Sequence, residues 1–186
     1  DALADGNLSS ASELIQSRLV DLTLRPLSVW DVDKAVTASE KLDSPIKRIY
    51  YATGDGSDSA SNEIGEILPR ANKTMLKQLE TSDAIIYGMG SLYTSIVPNL
   101  ILRNVGETIA QRNCPKILLF NGSVDRETSG MSAADYILAI VDALNRKHTE
   151  YAIDFHVSEY VTHILTPDGG QFIVDDDAIK AAELTR

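Results

Sequence analysis

The spacing of apolar and polar residues predicts a chain in which strands and helices alternate. Three short apolar runs predict strands, and the stretches between them carry apolar residues at helical spacing. The strands are Ile46–Ala52, Asp83–Tyr87 and Lys116–Phe120; the helices are Asn72–Glu80, Ser91–Arg112 with breaks near Pro98 and Gly106, and Ser132–Arg146. Because this alternation favours parallel strands, we predict an α/β fold with a mostly parallel sheet and helices on both faces.

The two ends of the chain give weaker patterns. The remaining predicted elements are a helix over about Ser12–Leu19, an irregular segment Leu22–Lys41, a loop Gly54–Gly65, strands Tyr160–Leu165 and Gln171–Val174 separated by the turn Pro167–Gly170, and a helix over about Asp177–Leu184. The loop and the turn are rich in Gly, Asp or Ser, which favour irregular backbone.

A glycine-rich motif follows the second predicted strand. Gly88, Gly90 and Ser91 form a Gly-x-Gly-Ser sequence, and the hydroxyls of Thr94 and Ser95 come next. Glycines let the backbone approach a ligand closely. A helix that begins at Ser91 would point its free N–H groups and its dipole at the same place, which suits a phosphate. The motif predicts a phosphate or nucleotide site at the carboxyl edge of the sheet; a tight turn without a ligand is the alternative.

A polar cluster follows the third predicted strand. Asn121 and Asp125 can bond a sugar hydroxyl or a base edge, and Arg126 can bind a phosphate with two nitrogens. Asp125 and Glu127 offer the oxygen ligands that Mg²⁺ prefers near phosphates. Since both clusters end neighbouring strands, we expect them to line one crevice. A solvated polar loop with an Asp–Arg surface pair is the alternative.

Composition limits the classes of partner. Hydrophobic residues make up 44% of the 186 residues, enough for a core, and the formal charge is −10. Such acidity disfavours nucleic acid as a partner. No stretch approaches 18 apolar residues, so we expect no membrane span. Cys114 is the only cysteine, which excludes an intrachain disulfide framework and points to a reducing, cytoplasmic setting.

Beyond these patterns, the segments Asp83–Asn99 and Lys116–Tyr136 resemble the family of 2-phospho-L-lactate transferase (CofD) and the bacterial gluconeogenesis factor (YvcK). Gly88–Leu100 matches that family's Gly-x-Gly-Ser-Leu-Tyr/Phe-Thr-Ser-x-x-Pro-x-Leu signature throughout. Arg103–Ala110 and Asn121–Thr128 are most similar to the eukaryotic, plant and fungal, branch. The resemblance covers roughly residues 44 to 174.

The resemblance implies a modified Rossmann-like fold with a nucleotide-phosphate crevice. The transferase branch passes a phospholactyl group from a guanosine-linked donor to a deazaflavin alcohol with a divalent metal, whereas the bacterial factor is a regulator that binds a nucleotide sugar. We therefore expect a CofD-like phospho-group transferase that uses Mg²⁺, or alternatively a non-catalytic nucleotide-sugar-binding regulator. The implied catalytic residues are Asp125 and Glu127, with Asp125 as the metal ligand. The implied nucleotide- or phosphate-binding residues are Gly88, Gly90, Ser91, Thr94, Ser95, Asn121 and Arg126. The expected partner is a nucleotide or nucleotide-linked small molecule. A homodimer is compatible with this prediction.

The beginning of the chain departs from the family pattern. Family members open with a strand and a Gly-Gly-(Gly)-Thr-Gly loop, but Gly6 is the only glycine before Gly54. We therefore divide the chain into residues 1–43, without a family match, and a CofD/YvcK-like domain over residues 44–186 that lacks the glycine-rich loop. The expectation is that an amino-terminal half has been lost or that segments are absent from the sequence.

Overall fold

The computed structural model describes residues 42, 44–52, 65–146, 154–172 and 174–175. In chain order the elements are β1 (Tyr51–Ala52), β2 (Glu66–Ile67), α1 (Lys73–Thr81), β3 (Ile85–Tyr87), a π-helical segment (Leu92–Ile96), α2 (Val97–Leu100), α3 (Val105–Ala110), β4 (Lys116–Leu119), a 3₁₀ turn (Arg126–Thr128), α4 (Ala133–Leu144), α5 (Val157–Tyr160) and β5 (His163–Leu165). The predicted helices at Ser12–Leu19 and Asp177–Leu184, the irregular segment Leu22–Lys41 and all of the Gly54–Gly65 loop except Gly65 lie outside the described residues.

A parallel sheet forms the centre of the fold. Its strand order is β3-β4-β5, and Leu118 of β4 lies beside Tyr87 on one side and Ile164 on the other. β1 and β2 pair separately and antiparallel. The predicted α/β fold with a parallel sheet is confirmed.

The helices before β4 begin and end where local chemistry places them. The Asn72 side chain caps α1 by accepting hydrogen bonds from two backbone N–H groups, as its residue type favours. The next helical stretch changes near the two predicted positions, Pro98 and Gly106: the π-helical segment gives way to α2 at Val97, and residues 101–104 separate α2 from α3. Pro98 sits in the first turn of α2, where proline is tolerated. Gly106 lies in the first turn of α3 and is buried against α4.

The end of the described chain also differs from the prediction. Tyr160 belongs to α5, which His156 and Glu159 cap reciprocally, so the strand begins only at His163. Residues 171–172 and 174 form no strand. Phe172 is instead buried against Phe120 and Tyr136, with ring centroids 5.2 and 5.5 Å away. The apolar side chain of Phe172 therefore belongs to the core without being part of a strand.

The two faces of the sheet differ in exposure. On one face Leu118 and Ile164 are fully buried, and the Tyr87 hydroxyl donates a hydrogen bond to the Tyr160 carbonyl at 2.8 Å. On the other face Ile86 and Leu165 are more than half exposed. Within the described part of the chain, no helix has the length and apolar character that crossing a membrane requires.

Candidate functional site

The candidate site lies where three parallel strands end. A loop of residues 88–91 follows β3, residues 121–125 follow β4, and residues 166–170 follow β5. Ligands in open α/β folds bind outside this edge of the sheet. The two clusters predicted from sequence therefore meet here, and the hydrogen bonds between them define the geometry.

The first loop presents open backbone at Gly88. A Cβ built at Gly88 meets no atom within 4 Å, and the neighbouring Met89 is 72% exposed. Gly90 differs, because its φ of +156° is one that L side chains rarely adopt, and a Cβ there would lie 3.1 Å from the Cβ of Ser95. The backbone at Gly88 is thus open to a ligand, whereas Gly90 is needed for the turn itself.

Asn121 joins the second loop to the first. Its side-chain carbonyl accepts a hydrogen bond from the Gly90 N–H at 3.2 Å, and its side-chain amide donates to the Gly90 carbonyl at 3.1 Å. The Asn121 side chain thus bonds both backbone groups of Gly90, as a neighbouring strand would. Asn121 lies at this edge of the sheet, and both polar ends of its side chain bond to Gly90; its role in ligand binding stays a prediction.

Glu127 makes the second connection. Its Oε2 accepts hydrogen bonds from the N–H groups of Tyr93 at 3.0 Å and Thr94 at 3.2 Å, and its Oε1 accepts one from the Thr94 hydroxyl at 2.8 Å. The residue is only 8% exposed. An anion at the start of a helical segment is favourable, so the carboxylate stabilises the turn after Ser91. It occupies the N–H groups that the sequence assigned to a phosphate, which gives Glu127 a positioning role; its catalytic role stays a prediction.

Asp125 supports Glu127 through the 3₁₀ turn. Its Oδ1 accepts hydrogen bonds from the Glu127 N–H at 2.9 Å and from the Thr128 N–H and hydroxyl at 3.2 and 3.1 Å. These bonds fix the backbone from which the Glu127 side chain reaches the first loop. Within the described part of the chain, no hydrogen-bond donor reaches the other oxygen, Oδ2.

The remaining predicted residues lie along the same edge. The Ser91 carbonyl accepts hydrogen bonds from the N–H groups of Ser95 at 2.9 Å and Ile96 at 3.3 Å, which closes the turn, and Ser95 itself is exposed. Arg126 is half-buried and forms no ion pair with a described carboxylate. The surface Asp–Arg pair of the alternative interpretation is therefore absent from the residues that the structure describes.

Metal-binding potential rests on few groups. The described residues include no cluster of three or more His, Cys, Asp or Glu side chains that could hold a metal ion. Asp125 Oδ2 is one suitable oxygen. Mg²⁺ commonly takes one or two carboxylates and completes its shell with water and substrate phosphates. The donor set is compatible with such a shared site.

A third loop was missed as a site element. Thr166, Pro167 and Asp168 line a polar cavity of about 280 Å³ together with Asn121. The Gln171 N–H donates to the Gly122 carbonyl at 3.1 Å, and its side chain accepts from the Val124 N–H at 2.9 Å. The signal was present in the Pro-Asp-Gly-Gly turn after β5, since a third parallel strand must end at the same edge.

Aromatic packing supports these loops from below. The rings of Phe120, Tyr136 and Phe172 pack with centroids 5.0 to 5.5 Å apart. Burial raises the pKa of Tyr136 well above its usual range, and the nearby charges of Asp125 and Glu127 raise it further. Tyr136 therefore stays neutral and acts as packing beneath the acidic loop. Tyr93 is 5% exposed and also packs.

Two curated proteins are similar in sequence to most of this chain. An uncharacterized protein of Saccharomyces cerevisiae is 30% identical over 148 residues, covering 74% of this chain and 32% of that protein. A putative gluconeogenesis factor of Nostoc is 37% identical over 150 residues, covering 68% of this chain and 33% of that protein. The chain thus spans about a third of the length of these curated relatives.

Solved structures give the same picture. Two crystal structures of one Bacillus halodurans protein, a member of the UPF0052 family, match at 26% identity with TM-scores of 0.51 and 0.50. The match covers 62% of this chain and 39% of that chain.

The division of the present chain at Ser44 stays a prediction. The family model described as 2-phospho-L-lactate transferase CofD matches residues 22–183, and the chain therefore belongs to the CofD family.

Proposed function

We propose that this chain forms part of a CofD-like site that binds a nucleotide-linked phosphate compound and transfers its phospho group with the help of Mg²⁺. The observation that carries the proposal is the joining of two polar loops at the carboxyl edge of parallel strands. Asn121 exchanges two hydrogen bonds with Gly90, and Glu127 accepts three from Tyr93 and Thr94 just after the loop. A loop that is fixed before ligand arrives costs little to order on binding.

The phosphate of the ligand is assigned to the backbone at Gly88. The more obvious position, the N–H groups of Tyr93 and Thr94, is filled by the Glu127 carboxylate. Open space remains above Gly88, and the exposed hydroxyl residue Ser95 borders the turn. We infer that the ligand lies along the loop from Gly88 toward the Asn121 and Thr166 side of the crevice.

Mg²⁺ would be held by Asp125 Oδ2 together with ligand phosphate oxygens. Oδ1 accepts hydrogen bonds from the 3₁₀ turn, so the carboxylate is held in one orientation while Oδ2 remains available to a metal. A bound Mg²⁺ would supply charge stabilisation for a transferring phospho group. In this chain Asp125 would hold the metal, and Glu127 keeps the adjacent loop in position.

A regulator is the second candidate function. The relative from Nostoc carries the name putative gluconeogenesis factor. Glu127, one of the two carboxylates proposed for catalysis, accepts hydrogen bonds from the first loop on both oxygens, so of that pair only Asp125 keeps an oxygen that no described donor reaches. A site in which one of the two proposed catalytic carboxylates is committed to holding a loop can bind a nucleotide sugar without transferring its phospho group.

Asp125→Asn separates the two functions. The asparagine carbonyl can still accept the three hydrogen bonds of Oδ1, so the turn is preserved while the charge is lost. We expect Mg²⁺-dependent GDP binding to weaken about tenfold, equivalent to about 1.4 kcal/mol, in isothermal titration of the full protein.

The matched control is Asp83→Asn, because Asp83 is exposed at the other end of β3. Unchanged Mg²⁺ dependence in Asp125→Asn would remove the metal role. Tight UDP-glucose binding without Mg²⁺, and without consumption over hours, would favour the regulator over the transferase.

A further inference from the structure

A basic cleft lies on the helical layer, formed by residues other than those of the candidate site. Arg70, Lys73 and Arg103 border an open cavity of about 650 Å³, together with Asn72 and Asn104. The cleft lies at the beginning of α1 and just before α3.

The backbone places two of these cations side by side. Arg70 and Arg103 are partners in an isolated parallel bridge, and the Arg103 N–H donates a hydrogen bond to the Pro69 carbonyl at 2.9 Å. Backbones paired in this way lie about 4.8 Å apart, and paired side chains leave on the same side. Both side chains are exposed at the rim of the cleft, where a ligand in the cavity can reach them.

No described carboxylate forms an ion pair with the cations of the cleft. The ion pairs in the described part of the chain join Glu66 to Arg48 and to Arg146, and none involves a side chain of the cleft. The first turn of α1 contains no acidic residue either. The chain has a net charge of −10, so a cavity bordered by three cations, with no carboxylate among its described lining residues, stands out.

The start of α1 adds to the positive potential. The helix is nine residues long and begins at Lys73, so its dipole favours an anion at this end. Arginine guanidinium groups bind phosphate oxygens in pairs, and the cavity has the volume of a small-molecule site. The acidity of the chain as a whole disfavours a nucleic acid here.

We propose that the cleft of Arg70, Lys73 and Arg103 is a binding site for the diphosphate group of a small molecule. The bound diphosphate would provide the negative charge that is absent among the described residues lining the cleft. This proposal does not rest on the proposed function, because it uses none of the crevice residues.

Inorganic pyrophosphate is the probe. Isothermal titration of the full protein at low salt should detect pyrophosphate binding, which weakens at least tenfold in Arg103→Gln and in Arg70→Gln. Lys77→Gln removes the same charge from an exposed position of α1 outside the cleft, and it should bind within about twofold of the parent. Raising the salt concentration should weaken parental binding.

Thermal unfolding without ligand gives an independent readout. Because Arg103 is exposed and its side chain forms no ion pair with a described carboxylate, Arg103→Gln should melt close to the parental temperature, so weakened binding cannot be assigned to unfolding. Absence of pyrophosphate binding in the parent overturns the proposal, as does equal binding by the parent and both arginine variants. GDP that binds through the crevice alone would be insensitive to Arg103→Gln, which distinguishes failure of this site from failure of the proposed function.

Discussion

Replacing Gly106 by alanine is expected to destabilise the protein by about 3 kcal/mol or more. Gly106 is buried where α3 crosses the end of α4, and a Cβ there would lie 3.0 Å from the carbonyl carbon of Leu144 and closer still to its oxygen. Backbone atoms cannot rotate away as a side chain can, so the two helices must separate. Overpacking of this kind costs typically about 1–3 kcal/mol and occasionally more.

Thermal unfolding measures this effect directly. For a domain of this size, a loss of 3 kcal/mol lowers the melting temperature by about 6–12 °C. Gly88→Ala is the matched control, because its new Cβ meets nothing within 4 Å, and we expect a change within about 0.5 kcal/mol. Equal melting temperatures for the two variants would mean that α3 and α4 do not approach each other as described.

Removing the Glu127 carboxylate is expected to have the next largest effect. In Glu127→Ala the N–H groups of Tyr93 and Thr94 and the Thr94 hydroxyl lose their shared acceptor. Hydrogen bonds to a charged group contribute more than neutral ones, and buried donors left without partners are costly. We expect a loss of about 2–3 kcal/mol and an accompanying loosening of the glycine loop.

Denaturant unfolding together with amide hydrogen exchange can test this expectation. The Tyr93 and Thr94 amides should exchange faster in Glu127→Ala, while amides of β4 change only as the global stability does. Glu80→Ala removes a carboxylate from an exposed position of α1 and should leave both measurements near the parental values. Parental stability and unchanged exchange at Tyr93 would contradict the role assigned to Glu127.

Local patterns predicted the elements that local chemistry determines. The apolar runs identified β3 and β4, and the helices were predicted to start at Asn72 and Ser132, whose side chains cap α1 and α4 in the structure. The helix interruption near Gly106 was predicted, but the buried contact of Gly106 with the Leu144 backbone was not, because the sequence shows the intrinsic cost of glycine and not the neighbour that requires it. Such tertiary contacts routinely override propensity.

The candidate site was only partly predictable for a similar reason. The strand ends located Gly88 and Asn121 at one edge of the sheet, because parallel strands must end together. The hydrogen-bond partners of Glu127, Thr94 and Tyr93, lie 33 and 34 residues away along the chain. The sequence alone therefore could not show whether this carboxylate holds a loop in place or binds a metal. The charge and position of Glu127 suggested a catalytic role, whereas its hydrogen bonds show that it holds the Tyr93–Thr94 turn in place.

The most direct test of the proposed phosphate site is nucleotide binding by Gly88→Val. The new side chain enters the open space above the loop and meets no atom of the fold near its Cβ, so stability should be retained. Asn113→Val, at an exposed position at the amino end of β4, is the matched control. Isothermal titration of the full protein with GDP and Mg²⁺, and with UDP-glucose, should show at least tenfold weaker binding in Gly88→Val, about 1.4 kcal/mol, and parental binding in the control. A folded Gly88→Val protein that binds either nucleotide as tightly as the parent would contradict the account.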